Sequence, residues 1–382
     1  MKKILFIQLK GKSFGGVWQV IKTTGEELIK KGYDVSVVSL RENKNDIQIK
    51  KHPKLNLYTI NQQDIWEHNY SGQEILNDIK KAKLLAATKK LIVRFKHKIS
   101  IKKDIKKLHR YIYQYQPDYI ITCHYELLDM IPKSYLNKTI HQQHSSFADA
   151  KRNRNNIKLF NKYKNKITFL WLTKKTMEKA IECGYQNSRY IYNAVRFKSQ
   201  EKANVVANKK LITIARLSED KSIDKMIAIA KDIFKDSKYK DWILEIYGEG
   251  HLENQLKKQI NNHKQIKLMG LTDNPKEVLL KSSINLNTSP YEGFSLSILE
   301  ANECGIPTIA FDFGESSTEQ ILHNKTGIIA KDMEDYKIKL KQLMDNPNEL
   351  QELSINAKEF SKNFQIEQII NEWIELFEEF DK

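Results

Sequence analysis

Residues 289–301 read SPYEGFSLSILEA, and the rest of the chain can be organised around them. A short β-type run comes first, a Pro- and Gly-containing turn follows, and an apolar helix is predicted from about Phe294. Glu292 and Glu300 are eight steps apart, about 12 Å and nearly two turns along a helix. Paired carboxylates of glycoside hydrolases lie closer, about 5–9.5 Å apart. At this spacing the two carboxylates could bind the two ends of one elongated ligand. Two solvated glutamates on a buried helix explain the spacing equally well.

The amide end of this predicted helix is a second feature of the stretch. Gly293 and Phe294 stand where backbone N–H groups lack helical partners and the helix dipole favours negative charge. An anionic group of a ligand would be stabilised at such a position.

Short apolar strands alternate with helices along the chain. Residues 3–9 form a buried-strand run, 17–30 have helical periodicity and 33–40 form a second strand, which together make a βαβ unit. The alternation restarts with a strand at 210–216 and reaches a last amphipathic helix at 364–380. Two halves of this kind predict an α/β protein with two Rossmann-like domains facing a central cleft.

The length of the chain, 382 residues, predicts two domains of about 150–200 residues each. A polar, weakly periodic stretch at 196–208 is the predicted linker. It separates an N-terminal domain, 1–195, from a C-terminal domain, 209–363. The final segment, 364–382, is predicted as a separate helix.

Cysteine use and hydropathy indicate the compartment. The three cysteines are widely spaced and form no CxxC, which is typical of a reducing cytosol. The apolar run near the N-terminus is four residues long, too short for the core of a signal peptide. No stretch approaches the roughly 20 apolar residues of a membrane span. A cytoplasmic protein is expected.

Positive charge is concentrated in one half of the chain. Residues 1–200 hold 40 Lys and Arg against 16 Asp and Glu, whereas residues 201–382 hold 24 against 31. The densest part, 80–110, has thirteen basic residues, interleaved with apolar ones at loosely helical spacing, and the single acid Asp104. A basic amphipathic segment predicts contact with an anionic membrane surface or another polyanion. A solvated lysine-rich face is the alternative.

Glycines mark the start of the first predicted helix. Gly15 and Gly16 belong to neither a G-x-G-x-x-G fingerprint nor a P-loop, since no GK[ST] follows at the required spacing. Their backbone amides could still approach a phosphate closely. A tight turn explains the pair equally well.

Polar side chains follow several predicted strands. His124, His141 and His144 lie at or near strand ends, and Asn193 ends a later strand. Ligands of open α/β sheets bind beyond the carboxyl ends of strands, which makes these residues site candidates. Structural histidines are the alternative. No cysteine or acid stands at zinc-ligand spacing, so no metal site is expected.

Four motifs occur in order in the second half of the chain. They are Arg216 with Lys221, YGEG at 247–250, the E-x7-E pair and CGIP at 304–307. In order and approximate spacing, the set resembles the motifs of the family 4 glycosyltransferases, also called glycosyl transferases group 1. These are retaining enzymes with the GT-B fold. The likeness spans nearly the whole chain, and the ordered set is its specific part. It implies that the C-terminal helix crosses back to the first domain.

The resemblance implies a donor site for a nucleotide sugar. Arg216 and Lys221 would stabilise the charge that builds on the departing diphosphate. Glu292 would contact the donor sugar, Glu300 would hold the ribose hydroxyls, and His144 would lie at the anomeric region. The other implied donor-binding residues are Gly15, Gly16, Gly248, Phe294, Ser295 and Leu296. His124, His141 and Asn193 are the acceptor-side candidates.

Some positions depart from the family pattern. The family often has glycine where this chain has Ala215 and Ser222, and the glycine pair follows a bulky Phe14. No D-x-D occurs in the sequence. The resemblance therefore implies metal-independent catalysis, with no cofactor besides the nucleotide-sugar co-substrate.

The resemblance also frames the expected function. It implies transfer of a hexose or N-acetylhexosamine, most simply from a UDP sugar, to a cell-surface glycan, a lipid-linked acceptor or a wall polymer. In this fold the first domain receives the acceptor, so the basic half suits an anionic acceptor or the inner face of a bacterial plasma membrane. The alternatives are a nucleotide-sugar epimerase or hydrolase-like relative, and a non-enzymatic polyanion or nucleic-acid binder. The last lacks any helix-turn-helix, RNP or zinc signature, so no nucleic-acid partner is expected.

Overall fold

The computed structural model describes residues 1–10, 15–41, 54–61, 84–147 and 154–382. Within them the protein is α/β, as expected, with helices surrounding two sheets of mostly buried strands. The strands are β1 (Lys3–Lys10), β2 (Asp34–Arg41), β3 (Asn56–Asn61), β4 (Tyr119–Thr122), β5 (Thr139–Gln142), β6 (Thr168–Trp171), β7 (Ser188–Tyr190), β8 (Lys210–Ile214), β9 (Ile243–Tyr247), β10 (Ile266–Gly270), β11 (Ile284–Asn287), β12 (Thr308–Phe311) and β13 (Gly327–Ala330).

The α-helices of the described residues alternate with these strands. They are α1 (Gly16–Lys30), α2 (Leu84–Tyr115), α3 (Arg154–Tyr163), α4 (Lys174–Glu182), α5 (Val205–Asn208), α6 (Ile223–Ile233), α7 (Glu253–Ile260), α8 (Pro275–Leu280), α9 (Leu296–Glu303), α10 (Ser317–Gln320), α11 (Met333–Asp345), α12 (Pro347–Phe360) and α13 (Ile366–Asp381). Short 3-10 turns span Tyr125–Met130, Lys133–Lys138, Glu219–Lys221, Ser237–Tyr239 and Ser361–Phe364.

The two sheets share one winding order. The first runs β3-β2-β1-β4-β5-β6-β7 and the second β10-β9-β8-β11-β12-β13. When the strands of each sheet are counted from its own first strand, both sheets begin with the order 3-2-1-4-5-6 of doubly wound α/β folds. The order reverses between β1 and β4 in the first sheet and between β8 and β11 in the second. Loops that leave the carboxyl ends of these strands form the usual ligand-binding crevice of such a sheet.

The chain divides into two compact units by its internal contacts. One comprises Met1–Gln142 with Lys158–Phe169, and the other comprises Gln143–Ile157 with Leu170–Lys382. The division passes through β6. It does not test the domain limits drawn from the sequence, which remain predictions.

Each unit has its own apolar interior. In the first, Leu5, Ile7 and Val38 from β1 and β2 pack on Leu108 and Ile112 of α2. In the second, a larger core covers both faces of the six-stranded sheet. The apolar strand runs are long because strands buried on both faces need no alternating polar side. None of the helices in the described ranges is long and apolar enough to cross a membrane.

The single acid of the basic segment is buried. Asp104 of α2 is 4% exposed, and its carboxylate lies 3.1 Å from the guanidinium of Arg41 at the end of β2. Asn61 also donates to it. Asp104 therefore anchors α2 to its own sheet and neutralises none of the exposed lysines of the helix.

Candidate active site

The predicted catalytic loops of the second unit meet at the reversal of its sheet. The loop after β8 carries Arg216 and Lys221, and the loop after β11 carries Glu292. Because β8 and β11 are neighbouring parallel strands, both loops leave the same edge. The Thr288 hydroxyl donates across to the backbone carbonyls of Lys221 and Ser222, 3.0 and 2.9 Å away. The fold thus places two sequence-distant motifs side by side.

Lys221 and Glu292 form a close ion pair in the described part of the chain. Lys221 Nζ lies 2.6 Å from Glu292 Oε1, and the two side chains are only 18% and 11% exposed. The Ser316 hydroxyl donates to the backbone carbonyl of Glu292 and fixes the turn. Glu292 precedes α9, so the two-turn helical spacing assumed from the sequence is wrong. Glu292 lies in the turn, and of the two glutamates only Glu300 lies on the helix.

Arg216 differs from Lys221 in exposure. Its side chain is 64% exposed, and its guanidinium lies 3.1 Å from Asp220. Burial raises the pKa of Asp220, but the Ser218 hydroxyl and the Arg216 charge outweigh it and hold the pKa below its usual value. Asp220 therefore stays ionised and positions a guanidinium whose other N–H groups face solvent.

Two glycines let neighbouring loops approach backbone to backbone. A Cβ on Gly248 would lie closer than 3.0 Å to the carbonyl of Ala215, and one on Gly250 would meet the carbonyl of Leu217. The Leu217 amide donates to the carbonyl of Glu249 at 2.9 Å. The YGEG motif thus holds the backbone on both sides of Arg216.

Gly293 makes a similar approach to the predicted catalytic histidine. A Cβ at this position would lie closer than 3.0 Å to the backbone carbonyl of His144. His144 belongs to the second unit, as do all the residues of the E-x7-E turn. The structure therefore brings His144 to the turn between Glu292 and α9.

The turn before α9 is held by side chains that the sequence did not single out. Gln320 is fully buried and makes two hydrogen bonds to the Ser295 backbone, at 2.8 and 2.9 Å. Tyr192 stacks on Phe294, with ring centroids 5.2 Å apart. The N-cap residue Ser295 makes no side-chain capping bond, so its side chain leaves the amides of the first helical turn available to a ligand.

Asn193 braces the same turn. It is 3% exposed, and its side-chain amide donates to the carbonyl of Phe294 at 3.2 Å. This burial disfavours the acceptor-side contact that the sequence suggested. Asn193 acts on the site through Phe294.

Glu300 is almost fully buried on α9. It is 1% exposed, and Nε of Arg196 donates to its Oε1. Arg196 lies in the predicted linker and was not expected to belong to the site. Only a long-range contact reveals it, because nothing in its local sequence marks it.

The first unit holds the remaining candidates around its own sheet reversal. Gly15 precedes α1 as its N-cap residue and has no side chain to cap this end, and Gly16 is the first helical residue. The Leu9 amide donates to Nδ1 of His124 at 3.4 Å. The carboxyl end of β1 and the loop after β4 are thereby joined.

His141 is a structural residue in this unit. It is completely buried, Nδ1 lies 3.0 Å from the Thr122 hydroxyl, and its ring contacts Phe160 and Phe169. A ring without exposed surface cannot reach an acceptor. The burial of His141 therefore disfavours the acceptor contact that was expected of it.

His124 should make folding sensitive to acid. Burial lowers its pKa to about 4, from an ordinary value near 6.5. Between those values the unfolded chain binds a proton that the folded chain does not, so stability falls as pH falls through this window. We expect His124→Asn to lose less stability than wild type between pH 7 and 5, by about 1–2 kcal/mol in urea unfolding. Parallel pH profiles would contradict this.

Ser222 occupies a backbone conformation that favours glycine. Its φ is 46° and its ψ is 43°, in the left-handed region. This explains why the resembled family often has glycine here. Ala215 is not among the non-glycine residues with positive φ, so its Cβ brings no such strain.

Ser222→Gly should therefore stabilise the protein. Relief of the left-handed strain predicts a gain of about 1 kcal/mol in the free energy of unfolding, with activity retained. Lys209→Gly, at the same φ of 46° before β8, is the matched control outside the catalytic loops. A gain at Lys209 but a loss at Ser222 would show that the Ser222 side chain itself is needed.

The described ranges contain no cluster of metal ligands. No group of three or more His, Cys, Asp or Glu side chains there could hold a metal ion. Metal-independent catalysis stays a proposal that chelation must test.

A known protein family matches the second half of the chain. Residues 195–360 match the family model for glycosyl transferases group 1. The match includes Arg216, Lys221 and both glutamates of the E-x7-E pair, and it also includes Arg196.

Relatives extend the match to both halves. A protein of Haemophilus influenzae named as an uncharacterized glycosyltransferase is 26% identical over 390 residues, covering 98% of this chain and 99% of the relative. A poly(ribitol-phosphate) alpha-N-acetylglucosaminyltransferase of Staphylococcus aureus is 31% identical over 171 residues, 43% of this chain and 34% of the relative. A poly(glycerol-phosphate) alpha-glucosyltransferase of Bacillus subtilis is 25% identical over 254 residues, which cover 63% of this chain and 37% of the relative. These alignments span about a third of the last two relatives.

Solved structures show the fold. A mutant of S. aureus TarM in complex with fondaparinux, alpha-GlcNAc-glycerol and UDP aligns with a TM-score of 0.74 at 17% identity, covering 99% of this chain and 100% of TarM. Anabaena HepE in complex with UDP and glucose aligns with a TM-score of 0.76 at 15% identity, covering 99% and 100%. The chain has the GT-B fold, and the matches together support a GT-B glycosyltransferase.

Proposed function

We propose that the protein is a retaining, family 4-type glycosyltransferase that moves a hexose or N-acetylhexosamine from a UDP sugar to a cell-surface polysaccharide acceptor. One observation carries the proposal: Lys221 and Glu292 form a shielded pair, 2.6 Å apart, beside the open amide end of α9. A cation, an acid and free amides then converge where a sugar diphosphate would lie.

The chemistry follows from where charge develops. Loss of the nucleoside diphosphate leaves negative charge on the phosphates and positive charge on the sugar. Lys221 and the exposed guanidinium of Arg216 would stabilise the phosphates, and Glu292 would bind the sugar. Lys221 Nζ can serve both partners, since it already contacts Glu292 and has further N–H donors.

No divalent metal is needed in this scheme, because two fixed cations supply the positive charge. Retention is consistent with the names of the S. aureus and B. subtilis relatives, which form alpha linkages. The UDP present in the TarM and HepE structures supports a uridine nucleotide.

A donor screen tests the proposal. Purified protein is incubated with UDP-, GDP- and ADP-sugars, with and without EDTA, and release of the nucleotide is measured. Turnover of a UDP sugar that survives EDTA is expected. No turnover of any nucleotide sugar would overturn the proposal, and loss of turnover in EDTA would overturn metal independence. C2 inversion of UDP-GlcNAc without transfer would favour the epimerase alternative.

The acceptor is proposed from charge and from the relatives. The S. aureus and B. subtilis relatives are named for poly(ribitol-phosphate) and poly(glycerol-phosphate), both polyanions. The cationic first half of this chain suits such a phosphate-linked wall polymer or a lipid-diphosphate glycan. Transfer of labelled sugar to each of these acceptors distinguishes them.

We further propose that α2 binds an anionic membrane surface. Five apolar side chains in its first half are 41–82% exposed, within a helical arc of about 120°: Leu85, Leu91, Ile92, Phe95 and Ile99. Exposed lysines flank this arc, including Lys89, Lys96 and Lys98. The core-facing residues Leu108 and Ile112 lie roughly on the opposite side of the helix. Apolar insertion between flanking cations is the pattern of an interfacial helix.

Vesicle flotation tests this surface. Wild type should float with anionic vesicles, but not with neutral ones, at about 0.1 M salt. The double variant Leu91→Ser with Phe95→Ser should lose most of the binding. Ile338→Ser with Ile355→Ser removes apolar residues of the second unit that are 49% and 52% exposed, and this variant should float like wild type. Absence of wild-type flotation would overturn the proposal.

A further inference from the structure

Glu300 and Glu303 lie one helical turn apart on α9, and both accept hydrogen bonds from the segment 196–199. Glu303 accepts four hydrogen bonds, two at each carboxylate oxygen. They come from the Ser199 amide, Lys358 Nζ, the Ser361 hydroxyl and the Gln365 side chain, at 2.7–2.8 Å. Its hydrogen-bonding capacity is filled by the protein itself.

Glu300 is equally buried but is not saturated. Its only hydrogen bond within the described residues comes from Nε of Arg196 to Oε1. The second oxygen, Oε2, accepts none from that part of the chain. A carboxylate oxygen is a hydrogen-bond acceptor, so this oxygen is suited to a ligand's hydroxyl donors.

Arg196 is held in place by its neighbours. The Val195 amide donates to the carbonyl of Phe364 at 2.9 Å, and the Ser199 amide donates to Glu303. Phe197 packs against the core of the second unit. The backbone on both sides is therefore fixed, and the guanidinium stands at Glu300 while remaining 23% exposed.

We propose that Arg196 is the positioning residue of a ribose-binding carboxylate. The inference rests on the proposed nucleotide-sugar function. Nε of Arg196 fixes the Glu300 carboxylate plane and compensates its charge, which directs Oε2 to the vicinal hydroxyls of the nucleotide ribose. Lysine cannot replace it fully, because its rotatable ammonium lacks the fixed N–H direction of the planar guanidinium.

The test compares UDP with 2′-deoxy-UDP by calorimetry. Wild type should bind UDP about tenfold more tightly, the effect of one hydrogen bond to a charged group. In Arg196→Met this ratio should fall to about twofold or less, and Arg196→Lys should give an intermediate ratio. Glu300→Gln should also lower the ratio, because the group that Arg196 holds toward the ribose is then neutral.

Two controls separate positioning from folding. Lys198→Met removes an exposed cation from the same segment and should keep the tenfold ratio. Glu303→Gln should lower the melting temperature and also keep the ratio. If Arg196→Met weakens UDP and 2′-deoxy-UDP equally, or if wild type does not distinguish them, the positioning role is overturned. If wild type binds no UDP at all, the proposed function fails instead.

Discussion

Lys221→Met should lower turnover of a nucleotide sugar by about 10²-fold or more, because it removes a fixed cation from the developing diphosphate charge. It should also destabilise the protein by about 2 kcal/mol. Glu292 is 11% exposed, and its carboxylate accepts no other hydrogen bond from the described residues, so it would be left unpaired. Single-turnover kinetics and urea unfolding measure the two effects.

Arg216→Met is the informative companion of this variant. The arginine is 64% exposed, so its loss should reduce turnover by a similar factor with little change in stability. In the double variant Lys221→Met with Glu292→Gln, stability should recover while turnover stays low. Wild-type turnover in either cationic variant would overturn the assigned roles.

Gly293→Ala should nearly abolish activity without touching a charged group. The added methyl would overlap the backbone carbonyl of His144, and neither backbone can yield as a flexible side chain would. The turn must move away from His144, and a misplacement of about 1 Å at a catalytic site costs about 10²-fold in rate. Overpacking adds a stability loss of about 1–3 kcal/mol.

Gly314→Ala is the control for this variant. Its φ of 98° makes a side chain strained, but nothing lies within 4 Å of the added methyl. It should lose some stability and keep turnover per folded molecule. If Gly293→Ala retains wild-type kcat at full folding, the close approach to His144 has no part in catalysis.

Local patterns predicted the alternation of elements well. Apolar runs marked β1, β2 and β8 within a few residues, because buried parallel strands need continuous apolar sequence. β3 was missed, since only one of its six side chains is buried, while three are partly exposed and two are exposed. β7 was predicted to end at Asn193, but it ends at Tyr190, because the chain leaves the sheet and Val195 pairs with the backbone of Phe364.

In the site, too, local sequence motifs predicted some residues, whereas others are identified only by long-range contacts. The identities of Lys221, Glu292 and Glu300 followed from ordered motifs. The start of α9 was placed two residues early, because Phe294 is drawn into an aromatic cluster and Ser295 is held by Gln320. Arg196 and Gln320 act across more than 20 residues of sequence, and only folding brings such pairs together.

The buried Asp104 leaves the cations of α2 facing one another. Lys98, Lys102, Lys106 and Arg110 follow at four-residue intervals, and all four are exposed. Like charges at this spacing repel by about 0.2–0.5 kcal/mol per pair. In free solution the helix therefore carries a standing internal repulsion. An anionic partner or added salt would relieve it, so docking and helix stability are thermodynamically linked.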